Sequence, residues 1–130
     1  MSKQRWFKMH PFPIKFTLVT NPETLTKLCK QKKWASPDLT ESLGATGDFG
    51  KHQVVFVETK QDTWDIFDTV VHESTHVFQH MIEYIGEDTV GKEFEAYCIG
   101  FISTTLLKEL ARQQKEHNAL HEKRPEGLQT

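Results

Sequence analysis

His72, Glu73 and His76 stand in the order His-Glu-x-x-His, a spacing with a mechanical meaning. Residues four apart lie one turn apart on the same face of a helix. Two imidazoles placed so can both reach one metal ion at about 2.0–2.1 Å. Glu73 sits about 100° further round the helix, off the ligand direction. From there it can face a water bound to the metal. Zinc lowers the pKa of such a water towards about 7. The carboxylate then takes the proton and later passes it to a leaving amine. The chemistry that these three residues imply is hydrolysis of an amide bond, with Zn2+ as the cofactor.

Catalytic zinc takes three protein ligands and leaves one position open. A third histidine six residues past the second is one extension of the motif, but Ile82 stands there and Gln79 replaces the glycine of that pattern. His80 lies about 6 Å further along the axis from His76, too far to share its ion. The following helix offers Glu93 and Glu95, about 200° apart on a wheel, so only one can face the first helix. Glu93 shares its side with Ala96, Gly100 and Thr104, small residues that let two backbones approach. Glu95 shares its side with Ile99, Ile102 and Leu106. Glu93 is therefore the expected third ligand, with Glu95 as the alternative. Two ideal helices joined by a tight turn would leave Glu93 more than a turn short of His76. The assignment needs residues 86–91 to climb back as an extended loop, and six residues can span up to about 20 Å.

The elements that must position these groups follow from pattern. Residues 14–20 alternate at period two and predict a strand. Asn21-Pro22-Glu23 predicts a helix start, and that helix should run to about Trp34. Residues 36–50 are turn-rich, punctuated by Gly44, Gly47 and Gly50. Gln53–Glu58 predicts a second strand, buried in its middle. A long helix is expected from about Asp62 to Ile85, with Gly86 to end it. Another should begin within 88–92 and reach about Gln114. The polar segment 115–130 is expected to be a flexible tail, so the single domain is expected over 1–114. The expected fold is α+β: a small antiparallel sheet packed on the two long helices, with one more helix at 22–34.

Composition narrows the class. The chain has 130 residues, enough for one core, with 37% hydrophobic and 26% charged residues and a formal charge of −2. No basic stripe accompanies Trp6, Trp34 and Trp64, so nucleic acid is not an expected partner. The longest continuous apolar run, Val54–Val57, is far too short to cross a bilayer, so no membrane is expected either. Cys29 and Cys98 make no disulfide framework and read as free thiols in a reducing cytoplasm. His117 and His121 repeat the four-residue spacing without a glutamate in place, and read as solvated.

These residues resemble the gluzincin branch of the zincin metallopeptidases. The segment Glu93-Phe94-Glu95-Ala96-Tyr97 is similar to the Glu-x-x-Ala-Asp/Asn pattern of membrane-anchored and ImmA/IrrE-type peptidases. Extended to Gly100, it looks like small phage and prophage proteins of metallopeptidase type. The resemblance covers about residues 53–107. It implies a zincin-like minimal domain, a zinc metalloendopeptidase with a protein or peptide substrate, zinc held by His72, His76 and Glu93, and Glu73 as catalytic base. It also implies that an edge strand before the active helix binds extended substrate, which points to Val55 and Val57 in 53–58. Tyr97 stands where the family has an acid or amide that orients a histidine. It is a candidate substrate contact, and it or Tyr84 a candidate for stabilising the tetrahedral intermediate. A phage origin would place the protein in the host cytoplasm.

Two other readings use the same residues. A polar helix face of Asp65, Asp68, Thr69, His72, His76, Gln79 and Glu83 opposite an apolar arc also describes an ordinary surface helix. That would make the chain an interaction protein with a chance motif. A zinc-binding protein without turnover, acting by binding a partner protein, is the third class.

Overall fold

The computed structural model describes residues 4–39 and 41–122. In chain order the elements are β1 (Phe7–Lys8), β2 (Lys15–Val19), α1 (Pro22–Lys32), β3 (Gly44–Phe49), β4 (His52–Val57), α2 (Thr63–Tyr84) and α3 (Lys92–Glu122). Four strands form one sheet in the order β1-β2-β4-β3. The class is α+β, as the pattern predicts.

The sheet differs from the expected antiparallel one. β1 pairs antiparallel with β2, and β3 with β4, but β2 and β4 run parallel, with Phe16 opposite Gln53 and Leu18 opposite Val55. The reason lies in β4. Its apolar run is buried on both faces, which is the habit of a central parallel strand. Val55 and Val57 join one core with Phe16, Leu18, Val70, Val77, Phe78, Met81, Ile102 and Leu106. Val54 and Phe56 point the other way and pack with Val19, Leu25, Leu28 and Cys29. Thus α2 and α3 cover one face of the sheet and α1 the other.

Besides the two-residue β1, pattern missed β3. Its sequence, Gly-Ala-Thr-Gly-Asp-Phe, has two glycines and reads as loop. They serve close approach. A Cβ on Gly44 would lie 2.4 Å from Thr69 Cγ2 of α2, and one on Gly47 would lie 2.7 Å from the Phe49 ring. Only Gly50, at φ +75°, acts as a turn residue, in the hairpin to β4.

Helix ends follow their caps. Asn21 accepts a hydrogen bond from the Glu23 N–H, and Pro22 takes the first turn of α1. Lys33 closes that helix in the left-handed region, its N–H donating to the Cys29 and Lys30 carbonyls. Asp62 caps α2 by accepting from the Trp64 N–H, and Gly86, at φ +81°, follows its last turn. α3 runs to Glu122, past residue 114 where the helix was expected to end. Glu109, Arg112, Gln113 and Glu116 explain part of the extension, because their side chains pair along the helix at three- and four-residue spacings. Residues 123–130 of the expected tail lie outside the described residues. No described helix is long and apolar enough to cross a membrane.

Candidate metal centre

The helix-capping aspartate sets where α2 begins, and the apolar arc Ile66, Val70, Val77, Met81 sets which way it faces. With that arc down on the sheet, His72 and His76 fall on the outer flank. Glu73 and Thr69 fall between them and β3. His72 is exposed and His76 half-buried.

The two imidazoles meet. Nε2 of His72 and Nε2 of His76 are 3.2 Å apart, with the rings edge to face. Two nitrogens on a tetrahedral zinc at about 2.0–2.1 Å would be about 3.3–3.4 Å apart. The observed spacing is close to that edge. Nδ1 of His76 donates to Gln79 Oε1 at 3.0 Å. That bond holds the ring with its Nε2 turned to His72, from whose Nε2–H it can accept when no metal lies between them. Gln79 is thus a positioning residue. Its signal was in the sequence, since it stands three residues after His76 on the same face.

Glu73 is only 6% exposed and lies under the edge strand. Its Oε1 accepts a 2.7 Å hydrogen bond from Thr46 Oγ1 of β3. Its Oε2 would lie 3.4 Å from any Cβ at Gly44. Gly44 and Thr46 alternate onto the α2 face of the strand, while Phe49 turns to the other face and stacks on Trp34 with centroids 4.3 Å apart. Thr46 and Gly44, the β3 residues against Glu73, were passed over by sequence reading because they were assigned to a loop.

His80 has a separate task. Its Nδ1 donates to Gln53 Oε1 at 2.6 Å, and Gln53, fully buried, donates in turn to Asp48 Oδ1 and the Gly50 carbonyl. This chain ties α2 to the β3–β4 hairpin. His80 is half-buried and engaged.

The remaining expected site residues lie elsewhere. Val55 and Val57 are both 0% exposed in the core, on a strand with neighbours at both sides. They cannot meet substrate, and β3, not 53–58, holds the free edge. Tyr97 is 75% exposed and Tyr84 44% exposed. Glu93 is in the first turn of α3. The buried side of that helix is Cys98, Ile102, Ser103, Leu106, Glu109 and Leu110. Glu93, Tyr97, Gly100 and Thr104 fall on the opposite side of the wheel, all exposed. Small residues at Ala96 and Gly100 were expected to let α2 and α3 approach with Glu93 between them. The contact instead uses the apolar arc some 150° away, because burial of Ile102 and Leu106 outweighs close backbone approach. Among the described residues no group of three or more histidine, cysteine, aspartate or glutamate side chains is gathered closely enough to hold a metal. The donor set that the structure assembles is two imidazoles, with a buried carboxylate beside them.

Scans of protein-family models, of curated protein sequences and of solved structures find no match to this chain.

Proposed function

We propose that the chain is a metal-dependent peptidase, with zinc carried by His72 and His76 and Glu73 as the general base. The observation that carries this reading is the 3.2 Å approach of the two Nε2 atoms, on the same turn of α2 as a buried carboxylate beneath an edge strand. The imidazole pair fits a divalent ion. The expected carboxylate ligand does not, since Glu93 sits on the outer side of α3. Glu73 and the two histidines are therefore the residues that this reading uses.

The parts of the site divide the work. When bound, zinc would supply an acidified water. Gln79 keeps the His76 ring in the tautomer that offers Nε2. Thr46 holds Glu73 Oε1 by its hydroxyl and so fixes the carboxylate under β3. Glu73 accepts a proton from the attacking water and returns it to the leaving nitrogen. Among the described residues β3 pairs with β4 alone, so its outer backbone groups can accept an extended peptide as an added strand. That strand would run alongside β3, the strand that covers Glu73.

The test is substitution of Glu73 by Gln, with hydrolysis of a mixed peptide substrate and zinc content both measured. Hydrolysis should fall at least about a hundredfold, with zinc retained. His72→Ala should lose the zinc. Activity unchanged in Glu73→Gln would sink the peptidase reading. A zinc-binding protein without turnover is favoured by one observation, the outward position of Glu93, which leaves the ligand set one short. Zinc bound by the wild-type chain with no hydrolysis of any peptide would assign that second reading.

A further inference from the structure

α3 carries a face that the domain does not use. Glu93, Tyr97, Gly100, Phe101, Thr104 and Lys108 are all exposed. At 100° per residue they fall in a stripe about 100° wide. From Glu93 to Lys108 the stripe is about 22 Å long at 1.5 Å per residue. Its middle is apolar and dips at Gly100, where a Cβ would meet nothing within 4 Å. Tyr97 and Phe101, 75% and 46% exposed, rise beside that dip. A cavity of about 500 Å³, lined in part by Met9, Phe12, Phe94, Tyr97 and Phe101, opens alongside. Monomeric surfaces rarely leave three aromatics together in water, and Phe94 is the third, at 45% exposed.

The order of residues along the stripe says what covers it. Take the midpoint between Gly100 and Phe101 and lay a second α3 across it, antiparallel. Gly100 then meets Phe101 of the other copy. Tyr97 meets Thr104. Glu93 meets Lys108. Every member finds a complement, and the two-fold axis makes each contact twice. The acidic end of one helix lies on the basic end of the other, and the helix dipoles run in opposite directions. We propose that this face is an isologous dimer interface, in which two copies of the chain pair through antiparallel α3 helices.

The proposal is independent of the peptidase reading, because His72, Glu73 and His76 are all on α2 and none belongs to the α3 stripe. The contact is one helix against one helix, smaller than the roughly 1,200 Å² of a standard stable interface. The dimer should therefore be weak, dissociating on the order of 10 μM.

Sedimentation velocity on the full chain, from about 2 to 500 μM, tests this. The wild type should shift from monomer to dimer across that range. Glu93→Lys and Lys108→Glu should each weaken the dimer about tenfold, since each places like charges at both symmetric contacts. The double variant Glu93→Lys with Lys108→Glu should recover wild-type association. Gly100→Leu should abolish it, because the partner's Phe101 loses its seat while the monomer has room for the new side chain. Circular dichroism of each variant confirms that it folds. A wild-type chain that stays monomeric throughout overturns the proposal. So does a double variant that associates no better than the singles.

Discussion

At the scale of single residues, the centre depends on side chains that hold other side chains. Gln79 is the clearest case, since its amide oxygen is the partner of His76 Nδ1. Truncating it leaves both imidazoles in place but frees one ring. Gln79→Ala should weaken zinc binding by about 10- to 100-fold, with the unfolding midpoint of the metal-free protein unchanged because residue 79 is exposed. Calorimetric titration with zinc reads the first quantity and a urea melt the second. An unchanged affinity would mean that the hydrogen bond does not orient the ligand. Thr46 acts on Glu73 in the same manner, through a 2.7 Å bond to Oε1. Both residues were present in the sequence, but only Gln79 had a spacing that could reveal its task.

At the scale of elements, α2 crosses β3 at close range. The approach is set by the missing side chain at Gly44, whose Cβ would press within 2.4 Å of Thr69 Cγ2. Gly44→Ala should then cost about 1–3 kcal/mol through overpacking. Thr69→Ser removes the clashing methyl and keeps the hydroxyl that donates to Gln61 Oε1. The double variant Gly44→Ala with Thr69→Ser should regain most of the loss, and the non-additivity is read from urea midpoints of the four proteins. If the two changes simply add, the backbone approach is not limited by this contact. A shift at this crossing would also move Glu73 relative to Thr46, so on the proposed peptidase reading hydrolysis should respond to Gly44→Ala as well as stability.

Across the whole molecule, a buried polar tie joins α3 to the N-terminal segment and to β2. Glu109 is 3% exposed and accepts from Arg112 Nε and Nη2 and from Gln113 Nε2. Gln113 also donates to the Leu18 carbonyl, and Arg5 lies 3.9 Å from Glu109. Burial by itself would raise the pKa of this carboxyl. The hydrogen bonds from Arg112 and Gln113, with the charges of Arg112 and Arg5, bring it below the ordinary 4.5 instead. The sign follows from linkage. A carboxyl with a depressed folded pKa stabilises the fold above its unfolded pKa, and loses that contribution as pH falls through its folded pKa. Glu109's contribution to stability should therefore be level from pH 7 to about 5 and fall below about 4.5. Glu109→Gln should lower stability at pH 7 and flatten the slope between about pH 5 and 3, as read by urea midpoints against pH. An identical slope in the variant would assign the acid sensitivity to other carboxylates.

Some of this was legible in the chain itself. The two long helices, the cap at Asn21 and Pro22, the strands at Lys15–Val19 and His52–Val57, and the His-Glu-x-x-His turn are local facts. They depend on periods of 3.6 and 2 and on neighbours within four residues, so sequence determines them alone. What lay beyond reach depends on which surfaces meet. β3 was hidden because its glycines answer to Thr69 and Phe49, residues brought to it only by the fold. The parallel pairing of β4 with β2 was not legible either, because a run of four apolar residues discloses burial but not the direction of the neighbouring strand. The outward turn of Glu93 was decided by Ile102 and Leu106 taking the inner side of α3. A wheel shows which residues share a side, while the tertiary structure decides, by apolar area buried, which side goes in.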